Sequence, residues 1–174
     1  LLRVAGSIEQ QSEHPLAGAI VARARDRGVT LSSPSAFRAV PGKGIRATLG
    51  GDEILFGNRT LMAESGIVLA DARPLEQLET NGKTAMLLAI GGRLAGIIAV
   101  ADPVKESSAE AIRELKGLGL HLVMITGDNR RTAEAIARQV GIDDVKAEVL
   151  PDQKAAAVRE LQQGWRVVAM VGDG

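Results

Sequence analysis

Around Asp102-Pro103 the apolar residues of this chain change their rhythm, and that change limits the possible folds more than any other feature. Upstream, from Ala36 on, the pattern has period two: Ile45, Ala47 and Leu49 alternate with Arg46, Thr48 and Gly50. Such alternation marks a strand with one buried face. Gly50-Gly51-Asp52 reads as a turn and Glu53 to Gly57 as the returning strand. Thr84 to Ile90 and Arg93 to Ala101 repeat the pattern around Gly91-Gly92. Downstream, helices alternate with short aliphatic strands: helix Glu106 to Leu118, strand Leu120 to Ile125, helix Arg130 to Val140, a short strand near Lys146, helix Gln153 to Gln162 and strand Arg166 to Val171. Helix–strand alternation implies a parallel sheet with crossover helices.

The expectation is therefore an α/β protein with two domains. Residues 1–101 form an antiparallel sheet with helices, and residues 102–174 form a parallel α/β domain. Further helices are expected over Leu1 to Gln11, Leu16 to Arg27, Arg59 to Glu64 and Asp71 to Thr80. Pro15 suits the first turn of a helix and pushes His14 out of helical geometry, so His14 is held at a kink. The second domain reads as truncated: the chain opens on a helix without the first strand of such a sheet, and it ends directly after a strand.

Composition narrows the chemistry. Twenty-one basic residues balance twenty-one acidic ones, so no broad field is available for nucleic acid or anionic lipid. Phosphate must then be held by local geometry. With no cysteine, disulfide scaffolds and thiolate metal sites are excluded, and His14 and His121 are too far apart in sequence to suggest a metal pair. The longest apolar run, Leu94 to Ala101, is far too short to span a membrane, and no signal peptide is visible at the start, so a soluble piece is expected.

Two phosphate motifs fail on context. Gly42-Lys43-Gly44-Ile45-Arg46-Ala47 fits a dinucleotide fingerprint, but that loop must open a helix, and here a strand follows. Gly82-Lys83-Thr84 resembles the end of a P-loop, yet Gln77 stands where the first glycine belongs.

Three other segments carry chemistry. Thr126-Gly127-Asp128-Asn129 follows an apolar strand, and ligands of open parallel sheets sit at the carboxyl ends of strands. The competing reading is a helix cap by Asp128 or Asn129. Pro151-Asp152-Gln153-Lys154 starts a helix, where a lysine can meet a phosphate as a point charge or simply be solvated. Val171-Gly172-Asp173-Gly174 ends a strand, and Asp173 can reach a hydrated Mg²⁺ or belong to an ordinary Asp-Gly turn. Hydroxyl, ammonium and carboxylate together are what phosphoryl transfer needs for positioning and charge stabilisation.

Met124 to Asn129, Leu150 to Lys154 and Val171 to Gly174, in this order and spacing, resemble the phosphorylation domain of a P-type ATPase, which is haloacid-dehalogenase-like. Asp102-Pro103-Val104-Lys105 is similar to the hinge of that family. Ser12-Glu13-His14-Pro15-Leu16 resembles the signature of the heavy-metal (type IB) pumps, most like the copper exporters, and Gly42-Lys43-Gly44 and Gly57-Asn58 fit their nucleotide-binding domain.

The resemblance implies ATP and Mg²⁺ as cofactors. Glu9, His14, Gly42, Gly44, Gly57 and Asn58 would bind nucleotide: His14 offers a planar face or hydrogen bond, and Glu9 accepts from the adenine amino group. Thr126, Gly127 and Lys154 would hold the phosphoryl group, Asp128 would organise the loop, and Asp173 would bind Mg²⁺. The partners implied are the membrane helices and actuator domain of a parent pump, with the transported metal bound outside this chain and this portion on the cytoplasmic side. The Asp-Lys-Thr-Gly-Thr acceptor of the family does not occur in the sequence, nor does the Asn-Asp pair that normally follows Gly-Asp-Gly. Two alternatives remain at this level: a soluble phosphatase of the same superfamily with residues 1–101 as its cap, and a non-catalytic nucleotide-sensing module.

Overall fold

A computed structural model describes the chain except for residues 102–103, 164–166 and 173–174 and the side chain of Pro15. It divides into two compact units, Leu1–Leu78 with Lys83–Ala101, and Glu79–Gly82 with Asp102–Gly174.

The first unit is built on a five-stranded antiparallel sheet in sequential order: β1 (Ser35–Val40), β2 (Gly44–Leu49), β3 (Asp52–Gly57), β4 (Thr84–Ile90) and β5 (Arg93–Val100). The β2–β3 hairpin turns on Gly50 and Gly51, both at positive φ (63° and 93°), as the strand twist of a two-residue turn requires. Successive side chains leave opposite faces of a strand. Ile54, Phe56 and Leu88 therefore share one core with Ile45 and Ala47 and with Ala5, Ile8 and Ile20 from helices α1 (Leu2–Glu9) and α2 (Pro15–Asp26). Leu55, Leu87 and Ala89 turn to the other face and pack with Leu61, Met62 and Leu75. Those three side chains come from α3 (Arg59–Glu64) and α4 (Arg73–Thr80). Burial on both faces explains why β3 and β4 read as nearly continuous apolar runs. A buried Leu or Phe stabilises by roughly 1.5–3 kcal/mol relative to exposure, so Phe56 and Leu88, at 1% and 0% exposure, anchor the sheet.

The second unit holds α5 (Ser108–Gly117), β6 (Val123–Ile125), α6 (Arg130–Val140), β7 (Asp144–Lys146), a 3-10 turn over Pro151–Gln153 and α7 (Lys154–Leu161). Strands β6 and β7 are parallel, with Val123 opposite Asp144 and Ile125 opposite Lys146. Helix α6 buries Thr132, Ala133, Ala137 and Val140 and ends at Gly141 in the left-handed conformation.

Most expected elements form, with shorter ends. The strand expected from Leu120 starts at Val123, and the helix expected from Gln153 starts at Lys154 behind the 3-10 turn. The strand expected over Arg166 to Val171 is a correction. Arg166 lies outside the described residues, and residues 167–171 belong to no ladder. Val167 and Val171 are 100% and 95% exposed. An apolar run favours burial, but a parallel strand also needs lateral hydrogen bonds, and no described strand pairs with this run. Among the described residues no helix is long and apolar enough to cross a membrane.

Candidate functional site

In the first unit the break between α1 and α2 gathers Glu9, Ser12 and His14. Helix α1 ends at Glu9, and Ser12 N–H donates back to the Glu9 carbonyl at 3.1 Å. His14 is extended (φ −67°, ψ 136°) and caps α2: Leu16 N–H donates to His14 Nδ1 at 3.2 Å, while His14 N–H donates to Ser12 Oγ at 3.2 Å. With Nδ1 accepting, the neutral ring carries its proton on Nε2. The cap therefore occupies one nitrogen and leaves the other end of an exposed imidazole for other work.

Glu9 is the unusual member. It is only 4% exposed, and its Oε2 has no hydrogen-bond partner among the described residues. Burial raises its proton affinity above the ordinary value; a hydrogen bond from Ser12 and, when its ring is protonated, the charge of His14 pull the other way. An orphaned buried carboxylate oxygen is costly, and in native proteins such a group calls for an explanation.

Gly42, Gly44, Gly57 and Asn58 are brought together where β2 begins and β3 ends, with Gly44 opposite Gly57. A Cβ on Gly44 would lie 2.2 Å from the Phe56 carbonyl oxygen, and one on Gly57 would lie 2.1 Å from that of Lys43. The two backbones touch here, so both glycines have a packing reason independent of any ligand. Asn58 N–H donates to the Lys43 carbonyl at 2.9 Å. Its Nδ2 donates to the Gly42 carbonyl at 2.9 Å, and its Oδ1 accepts from Leu61 N–H at 3.0 Å. Both ends of the Asn58 amide thus hold the protein itself. The two groups share a core: Ile8, next to Glu9, clusters with Ile45 and Phe56, the chain neighbours of Gly44 and Gly57.

In the second unit, parallel pairing puts the loops after β6 and β7 on one edge. Thr126 Oγ1 donates to Asp128 Oδ2 at 3.0 Å and accepts from Asp128 N–H at 3.1 Å, closing Thr126-Gly127-Asp128 into a turn. Asn129, not Asp128, caps α6, with its Oδ1 accepting from Thr132 N–H at 3.1 Å. Three backbone bonds tie this turn to the next loop: Thr126 N–H to the Lys146 carbonyl (3.0 Å), Glu148 N–H to that of Asp128 (2.9 Å) and Val149 N–H to that of Thr126 (3.0 Å). That loop leads through the 3-10 turn to Lys154, the first residue of α7. A cation at a helix N-terminus opposes the helix dipole; an anion nearby would offset this.

Asp173, the candidate Mg²⁺ ligand, lies outside the described residues. The described ones gather no cluster of three His, Asp or Glu side chains for a metal. Mg²⁺ is commonly held by one or two carboxylates plus substrate phosphates and water, so its binding does not require such a cluster. A cleft of about 380 Å³ opens instead at the amino ends of β6 and β7, lined by Lys116, His121, Asp143 and Asp144, on the edge opposite Thr126. Sequence reasoning missed Glu148, whose φ of 60° has no local signature, and the part Ser12 plays beside Glu9.

A family model described as haloacid dehalogenase-like hydrolase matches residues 2–174. Relatives named copper-exporting P-type ATPase from Staphylococcus aureus strains JH9 and MW2 are each 50% identical over 99% of this chain. The chain spans 22% of the length of those relatives. A solved zinc-transporting PIB-type ATPase in an E2.Pi state is 38% identical, with a TM-score of 0.60 over 99% of this chain and 28% of its own. The catalytic domain of the CPx-ATPase CopB-B shares the fold, with a TM-score of 0.69 at 23% identity over 99% of this chain and 60% of its own.

Proposed function

Because the chain belongs to the haloacid dehalogenase-like hydrolase family, we propose that it is the ATP-handling portion of a P-type heavy-metal pump. In this reading the first unit is the nucleotide-binding domain and the second is part of the phosphorylation domain. The longer protein sits in a membrane, with this portion on its cytoplasmic side, and exports a metal ion bound elsewhere. Copper is favoured by the relatives at 50% identity and by Glu13 in Ser12-Glu13-His14-Pro15-Leu16. The same relatives favour a pump over a soluble phosphatase or a nucleotide sensor.

The observation that carries the nucleotide assignment is the buried, unpartnered Oε2 of Glu9 beside a half-committed imidazole. An adenine amino group can supply the missing donor, and the His14 ring a planar face or hydrogen bond. Asn58 then acts by holding the Gly42–Gly44 turn rather than by touching the ligand. In the second unit Thr126, Gly127 and Lys154 hold the phosphoryl group, and Asp128 keeps the Thr126 hydroxyl oriented. Charge stabilisation of this kind is most of what phosphoryl transfer asks of a protein. Mg²⁺, held by Asp173, would neutralise phosphate charge.

Calorimetry with ATP on the native chain, Glu9→Ala and His14→Ala tests the assignment. Loss of a hydrogen bond to a charged partner predicts about tenfold weaker binding or more for Glu9→Ala. Unchanged affinity in both variants would sink the adenine site.

A further inference from the structure

We infer that Glu148 is a positioning residue for phosphoryl transfer, its left-handed backbone seating the arm that carries Lys154 against the Thr126–Asp128 turn. The inference rests on the second unit being the phosphate edge. Its starting point is the φ of 60° at Glu148, one of two non-glycine residues with positive φ among the described residues. L-residues with a Cβ avoid this region, and asparagine and glycine enter it most easily. Strained backbone persists where the surroundings over-determine it, and functional sites are where it gathers.

The surroundings here are specific. Strand β7 ends at Lys146, and two residues later the chain must turn toward the neighbouring loop. The reversal at Glu148 lets consecutive N–H groups, of Glu148 and Val149, reach the carbonyls of Asp128 and Thr126 at 2.9 and 3.0 Å. The carboxylate itself is exposed and forms no hydrogen bond or ion pair among the described residues, so no side-chain contact offsets the strain. Five residues separate Glu148 from Lys154, and the intervening turn is braced: Gln153 N–H donates to the Leu150 carbonyl, and Leu150 N–H to Gln153 Oε1. Docking at 148–149 is therefore transmitted to the start of α7. A β-branched residue at 148 would return φ to negative values. The two loop-to-loop bonds would then open, and Lys154 would lose its seat relative to Thr126 and Asp128.

The test uses the full-length protein with Glu148→Gly, Glu148→Asn and Glu148→Val. Formation of phosphoenzyme from γ-labelled ATP is followed with time, and the KM for ATP is measured alongside. Glu148→Val is expected to slow phosphorylation by about tenfold or more, since small misplacements of catalytic groups are costly. Its KM for ATP should hold within about twofold, because the nucleotide site is in the other unit. Glu148→Gly and Glu148→Asn should stay within about twofold of the unmodified rate, as residues that accept this φ. Normal phosphorylation by Glu148→Val overturns the inference. So does a Gly variant as slow as the Val variant, which would make the carboxylate the active element. If the unmodified protein forms no phosphoenzyme, the phosphate-edge reading fails and takes this inference with it.

Discussion

Glu9 concentrates the physical tension of the first unit in one side chain. Its carboxyl sits at the end of α1, nearly inaccessible, with one oxygen unpartnered. Because burial raises its proton affinity, the folded chain keeps a proton above the ordinary value of 4.5 after the unfolded chain has released it. The unfolded state then binds fewer protons, so stability falls as pH rises through that window and levels off beyond it. Glu9→Gln cannot titrate and should lack this decline. Denaturant midpoints measured from about pH 4 to about pH 8 would compare the two. Parallel slopes in native chain and variant would refute the assignment of the decline to Glu9. At the proposed phosphate edge, Thr126 and Asp128 hydrogen-bond to each other, so the turn is preorganised before any ligand arrives.

Among the elements, the β2–β3 crossing and the cap of α3 work as one device. Gly57 permits the backbones to touch, and Asn58 ties that contact to the helix by hydrogen bonds on both sides of its amide. Gly57→Ala should destabilise the chain by about 2 kcal/mol or more, since the Cβ would meet backbone that cannot step aside. Asn58→Ala removes a cap and should cost about 1 kcal/mol. Thermal unfolding would check both; a Gly57→Ala chain as stable as the native one would contradict the crossing geometry. The elements also show how far pattern reading reaches. Helices and antiparallel strands were legible because their periods lie in contiguous residues, as at Ile45 to Leu49 and Arg130 to Val140. The 167–171 run was misread because its strand character depends on a lateral partner that pattern cannot report.

At the scale of the whole molecule the two units differ in build. One is a five-stranded sheet covered on both faces; the other pairs two short parallel strands and concentrates its buried side chains on α6. The residues proposed to bind nucleotide lie in the first unit, and Thr126, Gly127 and Lys154, proposed to hold the phosphoryl group, lie in the second. No Asp-Lys-Thr-Gly-Thr acceptor occurs in the sequence. The purified chain should therefore bind ATP and release no phosphate from it on repeated turnover. Steady phosphate release in the presence of Mg²⁺ would show that the chain needs no such acceptor.

The sequence by itself determined the change from period two to helix–strand alternation at Asp102-Pro103, the short motifs and, through them, the family. These are properties of neighbouring residues, and one-dimensional order carries them. Only the tertiary structure decided that Gly44 and Gly57 are spent on each other, that both ends of the Asn58 amide bind the protein itself, that Glu9 is buried with an oxygen unpaired and that Glu148 is held at positive φ. Each depends on which distant backbone arrives beside it, and that follows from packing and register rather than from local propensity.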